Sequence, residues 1–379
     1  MEWRHIKKRT GVADMFAIFP SITEAVSQGN IADTIFQGRL LRDAIGLGFF
    51  SDPEKDIDIR YCEEHNIEWK MRAVAGGGPV WMGAGQAWIG LFAKQRPPRI
   101  PSTLGELYEK FLGGIAETLS QKLKIKARYR PVNDIEVGTG KGNWKKIGIC
   151  SAQSKGNAVS IFSAIQVKQI PMQKASRAIV PPPEKFADKD AKSISERMTC
   201  LESELGVEIT VKDLESLLFE AVAKSFDIEL VPGELTEMEL KLKKDYHNLL
   251  TSDESLFGRS ERGKFKYVPP DIKRSEVLFK VPQGPFVRIT ILIDPATKEI
   301  YDLLITGAIH VMPLTPQASP IHEIERRLKG VPLQEEFITE KLNEVFTLPG
   351  YEIVGASAED FAKHLMRAIS QISKSHTNS

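Results

Sequence analysis

The spacing of apolar residues changes near residue 252, and this change limits how the chain can fold. Upstream of residue 252, apolar residues recur at helical spacing, most clearly over residues 107–119. Downstream, the β-branched residues Val287, Ile289, Ile291 and Ile293 recur at every second position, the pattern of a strand with one buried face. Residues 252–274, which lie between, are rich in Ser, Gly, Lys and Arg. The sequence therefore predicts two units, residues 1–255 and 256–379, joined by a linker at about 252–274.

The predicted elements assign a fold class to each unit. The first unit intersperses helical stripes with short apolar strands, which is typical of an α/β domain. In the second unit, a turn at Asp294–Lys298 joins the alternating strand to another strand that ends near Gly307. Helices are predicted there at about 320–330, 337–346 and 358–371. A unit of two strands and three helices is a small α+β domain.

Charge and cysteine content argue against several classes of protein. The 379 residues include 51 basic and 50 acidic side chains, whereas proteins that bind nucleic acid or anionic membranes usually carry a basic surplus. The three cysteines are too few for a disulfide framework. The sequence has no run of 18 apolar residues and no N-terminal apolar core typical of a signal peptide. We therefore expect a cytoplasmic protein that binds neither nucleic acid nor a membrane.

The first motif with chemical potential is Arg72 followed by a run of three glycines, Gly76, Gly77 and Gly78. Glycines without Cβ atoms let backbone N–H groups approach a ligand closely. An arginine at the base of such a turn offers a donor fork for phosphate or carboxylate. The alternative is a tight hairpin whose glycines only satisfy a positive φ.

The second motif joins Asn133 and Asp134 to a lysine-bearing strand that contains Lys146, across a glycine-rich stretch at 138–142. Asn and Asp at a strand edge can hold a metal-bound phosphate or a ribose. A lysine beside them can reach an acyl phosphate oxygen. The alternative is a charged β-hairpin with its lysines solvated at the rim.

The order of these motifs, with Ser-Ala-Gln at 151–153 after the lysine, resembles the catalytic domain of lipoate–protein ligases. Further segments that agree with the family in order are Gly46–Phe49, Pro183–Lys185 and Arg197–Thr199. The C-terminal unit, with Ile305–Gly307, resembles the accessory domain of the family. The resemblance covers almost the whole chain and depends on the ordered set of motifs.

The resemblance implies an α/β fold shared with biotin ligases, a smaller α+β accessory domain and a two-step reaction. ATP with Mg²⁺ and lipoate would give lipoyl-adenylate. A lysine of a lipoyl domain, of the dehydrogenase E2 or glycine-cleavage H-protein type, would then take the acyl group. The accessory domain could move on the linker at about 252–274 during this cycle.

The resemblance also implies roles for individual residues of this chain. Lys146 would be the catalytic lysine that polarises carboxylate and phosphate oxygens, and Arg72 would face the phosphate. The remaining ligand- and adenylate-binding positions would be Gly76, Gly77, Gly78, Val80, Asn133 and Asp134, with Asp134 near the magnesium of ATP.

The sequence departs from the family pattern at three places. Met82-Gly83 stands where members usually carry His-Asp, and Phe162-Ser163 stands where they usually carry His-Gly. The segment from Lys146 to Ser-Ala-Gln is one residue longer than usual, so an ungapped match puts Ile147 at the lysine position. Lys146 aligns only if the strand contains a β-bulge.

These departures leave two alternatives to a working ligase. Cys150 lies near the lysine and could accept an acyl group as a thiolate without ATP, although a free cysteine in a strand is more often a small buried hydrophobic residue. The chain could also be a scaffold that keeps the fold and has lost catalysis. No histidine occurs between His65 and His247, so an imidazole reaches the core site only if more distant segments fold back onto it.

Overall fold

The computed structural model describes residues 2–138, 143–186 and 193–375. Part of the glycine-rich stretch predicted at 138–142 therefore lies outside the described residues. The strands are β1 (Glu2–Thr10), β2 (Thr34–Leu40), β3 (Ala44–Gly46), β4 (Val80–Met82), β5 (Gln86–Lys94), β6 (Ala127–Arg130), β7 (Asp134–Gly138), β8 (Trp144–Lys155), β9 (Ala158–Gln166), β10 (Glu229–Pro232), β11 (Lys273–Lys280), β12 (Phe286–Asp294), β13 (Glu299–Ala308), β14 (Val311–Met312) and β15 (Glu352–Ile353).

Helices are interspersed with these strands, together with one 3₁₀ turn at Pro183–Phe186. The helices are α1 (Val12–Ser27), α2 (Pro53–Asp56), α3 (Ile59–Glu64), α4 (Leu104–Leu123), α5 (Met172–Ala178), α6 (Ile194–Arg197), α7 (Leu201–Leu205), α8 (Val211–Phe226), α9 (Glu237–Leu250), α10 (Asp253–Phe257), α11 (Glu261–Lys264), α12 (Pro320–Leu328), α13 (Glu335–Phe346) and α14 (Ala358–Ser375).

The first unit is organised by an eight-stranded sheet in the order β10-β1-β2-β5-β9-β8-β7-β6. Strand β1 pairs in parallel with β10 and β2, and the remaining pairs are antiparallel. Helices α1 and α9 pack together, as do α4 and α8. This mixed sheet with helices on both faces confirms the predicted α/β class.

Strand β5 is central because both of its faces are buried. Ile89 and Leu91 belong to the apolar core that includes α4 and α8, and Trp88 and Phe92 belong to the core that includes α1. Successive side chains of a strand point to opposite faces, so this apolar run supplies both cores. Helix α4 begins where the Thr103 hydroxyl accepts a hydrogen bond from the Glu106 amide.

The C-terminal unit is built around an antiparallel sheet, β11-β12-β13, covered by α12, α13 and α14. Four residues of the first unit also belong to its apolar core, namely Phe49, Phe50, Val74 and Leu250. The three predicted helices are present, and so is the β12–β13 hairpin with its turn at 294–298. The prediction of one buried face is wrong for β12, because Arg288, Thr290 and Leu292 on its other face are buried as well. The prediction of two strands was too low for this sheet. Strand β11 begins at Lys273, where the charged composition favours a linker, yet its alternate residues Val277 and Phe279 are buried.

The segment at 252–274 contacts both units. It contains α10 and α11, and Leu256 of α10 is buried among apolar residues of the first unit. Arg259 forms an ion pair of 2.7 Å with Glu325 of α12. Across the same boundary, Arg288 of β12 pairs with Asp56 of α2 at 3.2 Å. Among the described residues, no helix has the length and apolar character needed to cross a membrane.

Candidate functional site

A cavity of about 190 Å³ lies between the large sheet and the C-terminal unit. Its wall is built from the β3 and glycine segments, the strand β8, the 3₁₀ turn and the connection between β13 and β14. Most of the positions predicted from sequence line this cavity, namely Gly76, Gly77, Gly78, Val80, Asn133, Asp134, Lys146 and Cys150. The structure therefore brings together motifs that are up to 74 residues apart in the sequence, from Gly76 to Cys150.

One part of the cavity wall is apolar. The residues that form it belong to the core beside α1 and are Phe16, Ala73, Ala75, Val80, Met82, Trp88, Ile149 and Phe162. Met82 and Phe162, which stand at two of the departures from the family pattern, thus both lie in this apolar wall. An apolar wall of this kind suits a hydrocarbon chain, because polar groups placed against it would lose hydrogen bonds to water.

The glycine segment approaches a second backbone segment so closely that side chains are excluded. A Cβ atom built on Gly48 would lie 2.0 Å from the carbonyl oxygen of Gly77. Gly77 has φ of +102°, and its N–H donates to the carbonyl of Ile309 at 3.1 Å. The Gly76 carbonyl accepts a hydrogen bond from Ser151 at 2.8 Å. The glycines therefore form part of the cavity wall through their backbone, instead of closing a tight hairpin.

Arg72 lies outside the cavity, which corrects the expectation that it faces a phosphate. Its side chain is buried, and its guanidinium donates to five backbone carbonyls at 2.6–2.9 Å. These carbonyls belong to Gly48, Phe49, Ser51, Ser255 and Leu256. The donor fork that the sequence assigns to a ligand instead joins the β3 loop to α10.

The Asn133–Asp134 pair sits at the start of β7, against β8. Asn133 Nδ2 donates to the carbonyl of Cys150 at 2.6 Å. The Asp134 carboxylate pairs with Lys146 Nζ at 2.5 Å and with Arg197 Nη2 at 2.9 Å. Arg197 also pairs with Glu136 at 2.6 Å. Asp134 therefore fixes the lysine ammonium at the cavity, and sequence reasoning gave Arg197 no role in this network.

A β-bulge in β8 determines whether Lys146 or Ile147 lies on the cavity face of the strand. Ile135 of β7 pairs with Gly148, but the next residue, Glu136, pairs with Lys146, so Ile147 has no opposite partner. Ile147 is buried in the core with α4, while Lys146 lines the cavity together with Ile149 and Ser151. Without the bulge, the two-residue period would place Ile147 on the cavity face. The bulge required by the longer lysine segment is thus present.

Lys185 is a cavity residue whose role the sequence did not indicate. Its Nζ would lie 3.0 Å from a Cβ atom built on Gly78. Within the described ranges no carboxylate lies within 4 Å of this ammonium group, and burial lowers the pKa of Lys185. An anionic ligand at this position would stabilise the charged form. The sequence signal for Lys185 is its place in the segment Pro183–Lys185, which agrees with the family in order, but that resemblance gave the lysine no role.

Cys150 is poorly suited to act as a nucleophile. Its side chain is 4% exposed and belongs to the α4 core. Burial raises the pKa of the Cys150 thiol well above its usual range, even though Lys146 lowers it in part. The thiolate is the reactive form of cysteine, so this environment supports the reading of Cys150 as a buried hydrophobic residue.

His310 of the C-terminal unit supplies an imidazole at the cavity, whereas His5, His65 and His247 of the first unit do not line it. It lines the cavity, and its Nδ1 lies 2.8 Å from the Tyr108 hydroxyl of α4. Burial lowers the pKa of His310 to about 4, and the nearby Lys146 adds to this effect. The sequence does not indicate this contact, because His310 and Tyr108 are more than 200 residues apart in the chain.

A dedicated metal centre has little support in the described part of the chain. No group of three or more His, Cys, Asp or Glu side chains is arranged there to hold an ion. The Asp134 carboxylate, which the sequence suggests for Mg²⁺, is paired with two cations. The basic end of the cavity, with Lys146 and Lys185, is instead suited to phosphate or carboxylate oxygens.

Comparisons with known proteins agree with this architecture. The family model described as the lipoyl protein ligase A/B catalytic domain matches residues 12–223, more than half of the chain. Octanoyltransferase LipM of Clostridioides difficile is 22% identical over 67% of this chain and 97% of its own length. Lipoate-protein ligase A subunit 1 of Thermoplasma acidophilum is 23% identical over 52% of this chain and 74% of its own length.

Solved structures share the fold at low identity. A bipartite lipoate protein ligase of Thermoplasma acidophilum, described with its E2 lipoyl domain, has a TM-score of 0.59 at 21% identity over 68% of this chain and 97% of its own. LipL1 of P. falciparum, in complex with lipoate, has a TM-score of 0.67 at 14% identity over 97% of this chain and 99% of its own. The second match extends through both units. With a family model covering residues 12–223 and a cavity built from the same motifs, the chain belongs to the lipoyl protein ligase A/B family.

Proposed function

We propose that the chain activates a carboxylic acid, lipoate or a medium-chain relative such as octanoate, with ATP and transfers the acyl group to a protein lysine. The observation that carries this proposal is one cavity in which an apolar wall meets Lys146, Lys185 and the glycine backbone. The apolar wall suits an acyl chain, and the basic end suits its carboxylate together with a phosphate.

The proposed reaction has two steps. A carboxylate oxygen attacks the α-phosphorus of ATP, the bond from that phosphorus to the bridging oxygen breaks, and pyrophosphate leaves. The amine of an acceptor lysine then attacks the acyl carbon, the bond to AMP breaks, and the amine loses one proton. Negative charge is redistributed over phosphate and carbonyl oxygens in both steps, so fixed cations beside those oxygens lower the barrier.

Two lysines of this chain are placed to supply that charge. The pairing with Asp134 at 2.5 Å holds the Lys146 ammonium in the cavity, so it needs little reorganisation when the ligand binds. Lys185 has no carboxylate within 4 Å among the described residues, and an acyl or phosphate oxygen would provide a close negative charge. Mg²⁺ would arrive bound to the ATP phosphates, and Asp134 would reach it only by exchanging one of its two cation partners.

The acceptor we propose is a lipoyl domain, of the dehydrogenase E2 or glycine-cleavage H-protein type. The support is the Thermoplasma acidophilum ligase, a protein of the same fold that is described with its E2 lipoyl domain. The transfer step requires the lysine of the acceptor to reach the acyl carbon at the basic end of the cavity.

Two alternatives have less support from the geometry. Transfer through Cys150 requires a thiolate, but the thiol is buried and its pKa is raised. A scaffold without catalysis would have no need to keep Lys146 on the cavity face, whereas the bulge at Ile147 does so. Octanoyl transfer is the activity named for the LipM relative, which makes octanoate a necessary ligand in any test.

Isothermal calorimetry on the intact chain tests the proposal. ATP–Mg²⁺ and octanoate or lipoate are titrated separately and together into the unaltered protein and into Lys146→Ala. The matched control is Lys145→Ala, because Lys145 neighbours Lys146 and does not line the cavity. We expect acyl acid and ATP to bind, with binding weakened at least about tenfold in Lys146→Ala and unchanged in the control. The proposal would be refuted by equal affinities of all three proteins for ATP–Mg²⁺ and the acyl acid. It would also be refuted by binding of the acyl acid without any binding of ATP.

A further inference from the structure

The connection between β13 and β14 places an accessory-domain histidine against the glycine segment. The Ile309 carbonyl accepts a hydrogen bond from Gly77 N–H at 3.1 Å, and the His310 carbonyl accepts one from Val354 N–H at 3.0 Å. His310 is therefore held by the backbone of the first unit on one side and by its own unit on the other. These bonds fix the backbone that carries the ring.

The two nitrogens of the His310 ring have different surroundings. Nδ1 is 2.8 Å from the Tyr108 hydroxyl. Both nitrogens lie near the glycines, since a Cβ atom built on Gly76 would lie 2.9 Å from Nδ1 and one built on Gly77 would lie 3.6 Å from Nε2. In the described ranges, no protein group forms a hydrogen bond with Nε2. His310 is buried and lines the cavity, so a ring nitrogen without a protein partner is placed to bind a ligand atom.

The protonation of the pair favours a donor at Nε2. Burial lowers the pKa of His310 to about 4 and raises the pKa of Tyr108 well above its usual range, so both groups are neutral near pH 7. A carboxylate or acyl oxygen held beside Lys146 can only accept hydrogen bonds. Such a ligand selects the tautomer with the proton on Nε2, and the Tyr108 hydroxyl then donates to Nδ1.

The contact between α4 and the C-terminal unit helps to fix the position of the His310 ring. The Glu352 carboxylate of β15 accepts hydrogen bonds from the first amides of α4, Leu104 N at 2.7 Å and Gly105 N at 3.2 Å. Strand β15 pairs with β14, which begins one residue after His310. One two-stranded ribbon thus caps α4 and places the imidazole over Tyr108, one turn along the same helix.

We propose that His310 is a substrate-binding residue that the C-terminal unit adds to the catalytic cavity, where its Nε2–H donates a hydrogen bond to an oxygen of the acyl carboxylate. The ligand class is a carboxylic acid whose chain lies on the apolar wall and whose carboxylate lies between Lys146 and His310. Full affinity for this acid requires the C-terminal unit to be docked. The inference rests on the proposed function, because it assigns the same cavity to an acyl acid.

Octanoate binding to the intact chain, measured by calorimetry, tests the inference. His310→Leu removes both ring nitrogens, whereas His310→Gln keeps an N–H near the position of Nε2. His322→Leu is the matched control: His322 is a half-buried histidine of the C-terminal unit with a pKa lowered to about 4 by burial. It contacts Phe49 and Phe50 and does not line the cavity. The ATP–Mg²⁺ affinity and the melting temperature of each variant are measured in parallel.

We expect His310→Leu to weaken octanoate binding by roughly 10- to 100-fold, the effect of losing a hydrogen bond to a charged group. His310→Gln and His322→Leu should stay within about threefold of the unaltered protein, since neither removes that donor. If His310→Leu fails to fold, Tyr108→Phe replaces it. That change keeps the ring shape but removes the group that orients His310, and it should weaken octanoate binding several-fold.

Three results would overturn the inference. Unchanged octanoate affinity in a folded His310→Leu, or in Tyr108→Phe when that variant stands in for it, overturns it and leaves the proposed function in place. Equal losses of octanoate and ATP affinity in His310→Leu and His310→Gln show that the histidine only tethers the two units. Absence of octanoate and lipoate binding by the unaltered chain overturns both the inference and the proposed function.

Discussion

Replacing Arg72 with methionine distinguishes a structural role of this arginine from a phosphate-binding one. Its guanidinium donates five hydrogen bonds to backbone carbonyls. One of these carbonyls, that of Gly48, also accepts the amide of Ser51 at 3.1 Å. Up to four buried carbonyls therefore lose a donor, at about 1–3 kcal/mol each before neighbouring groups relax. Because such losses are not additive, we expect the free energy of unfolding to fall by at least about 4 kcal/mol.

Urea unfolding followed by tryptophan fluorescence measures this loss, and calorimetry with ATP–Mg²⁺ measures binding at low urea. The control is Arg130→Met, because Arg130 does line the cavity and pairs with Glu136 only at 3.4 Å. It should lower the free energy of unfolding by less than about 1 kcal/mol. A stable Arg72→Met protein, within about 1 kcal/mol of the unaltered chain but with weakened ATP binding, would refute the reasoning.

Three further changes test other parts of the structure. Exchanging the bulge residues, Lys146→Ile with Ile147→Lys, should abolish acyl transfer in a gel or mass assay and lower the melting temperature, because it places a cation in the α4 core; retained transfer would contradict the bulge. Cys150→Ser should keep at least about half of the transfer rate, and native Cys150 should react slowly with iodoacetamide at pH 8. Burial raises the pKa of Asp52 to about 6. Its folded form therefore takes up a proton more readily than the unfolded form, and the stability that Asp52 contributes should rise as pH falls from 7 to 4. The difference between the unaltered protein and Asp52→Asn in urea titrations should show this slope, and parallel pH profiles would contradict it.

The elements that could be predicted from sequence are those with a strong local period. The β12–β13 hairpin and the three C-terminal helices follow from alternation and helical stripes that tertiary contacts only reinforce. Strand β11 was missed because its polar face is charged and its buried face has only a few apolar residues, such as Val277 and Phe279. A period-two pattern with charged residues on the open face is hard to distinguish from a linker by composition alone.

The face of strand β8 on which Lys146 lies could be predicted, because side chains alternate between the two faces of a strand. One extra residue before Ser-Ala-Gln must either move Ile147 to the cavity face or form a bulge, and burial of Ile147 favours the bulge. The ordered motifs also indicated Gly76–Gly78 and Asn133–Asp134 as cavity positions, since a turn and a strand edge are local features.

The remaining errors concern side chains whose partners are distant in sequence. The sequence identifies Arg72 as a donor fork but does not show that carbonyls of Ser255 and Leu256, about 180 residues away, accept its hydrogen bonds. His310 and Lys185 reach the cavity only through the docking of the C-terminal unit and the path of the 3₁₀ turn. No local period encodes either contact, so tertiary structure was needed to place them.

Formation of acyl-AMP in a single turnover tests the central claim most directly. The intact chain is mixed with ATP, Mg²⁺ and octanoate or lipoate, quenched, and examined by mass spectrometry. A parallel reaction contains a carrier protein loaded with an octanoyl group and a lipoyl domain, without ATP. We predict that acyl-AMP forms with one pyrophosphate per acyl group, and that Lys146→Ala forms none while Lys145→Ala is unaffected. Transfer from the octanoyl carrier to a lipoyl domain, with no acyl-AMP from either acid, would contradict the account.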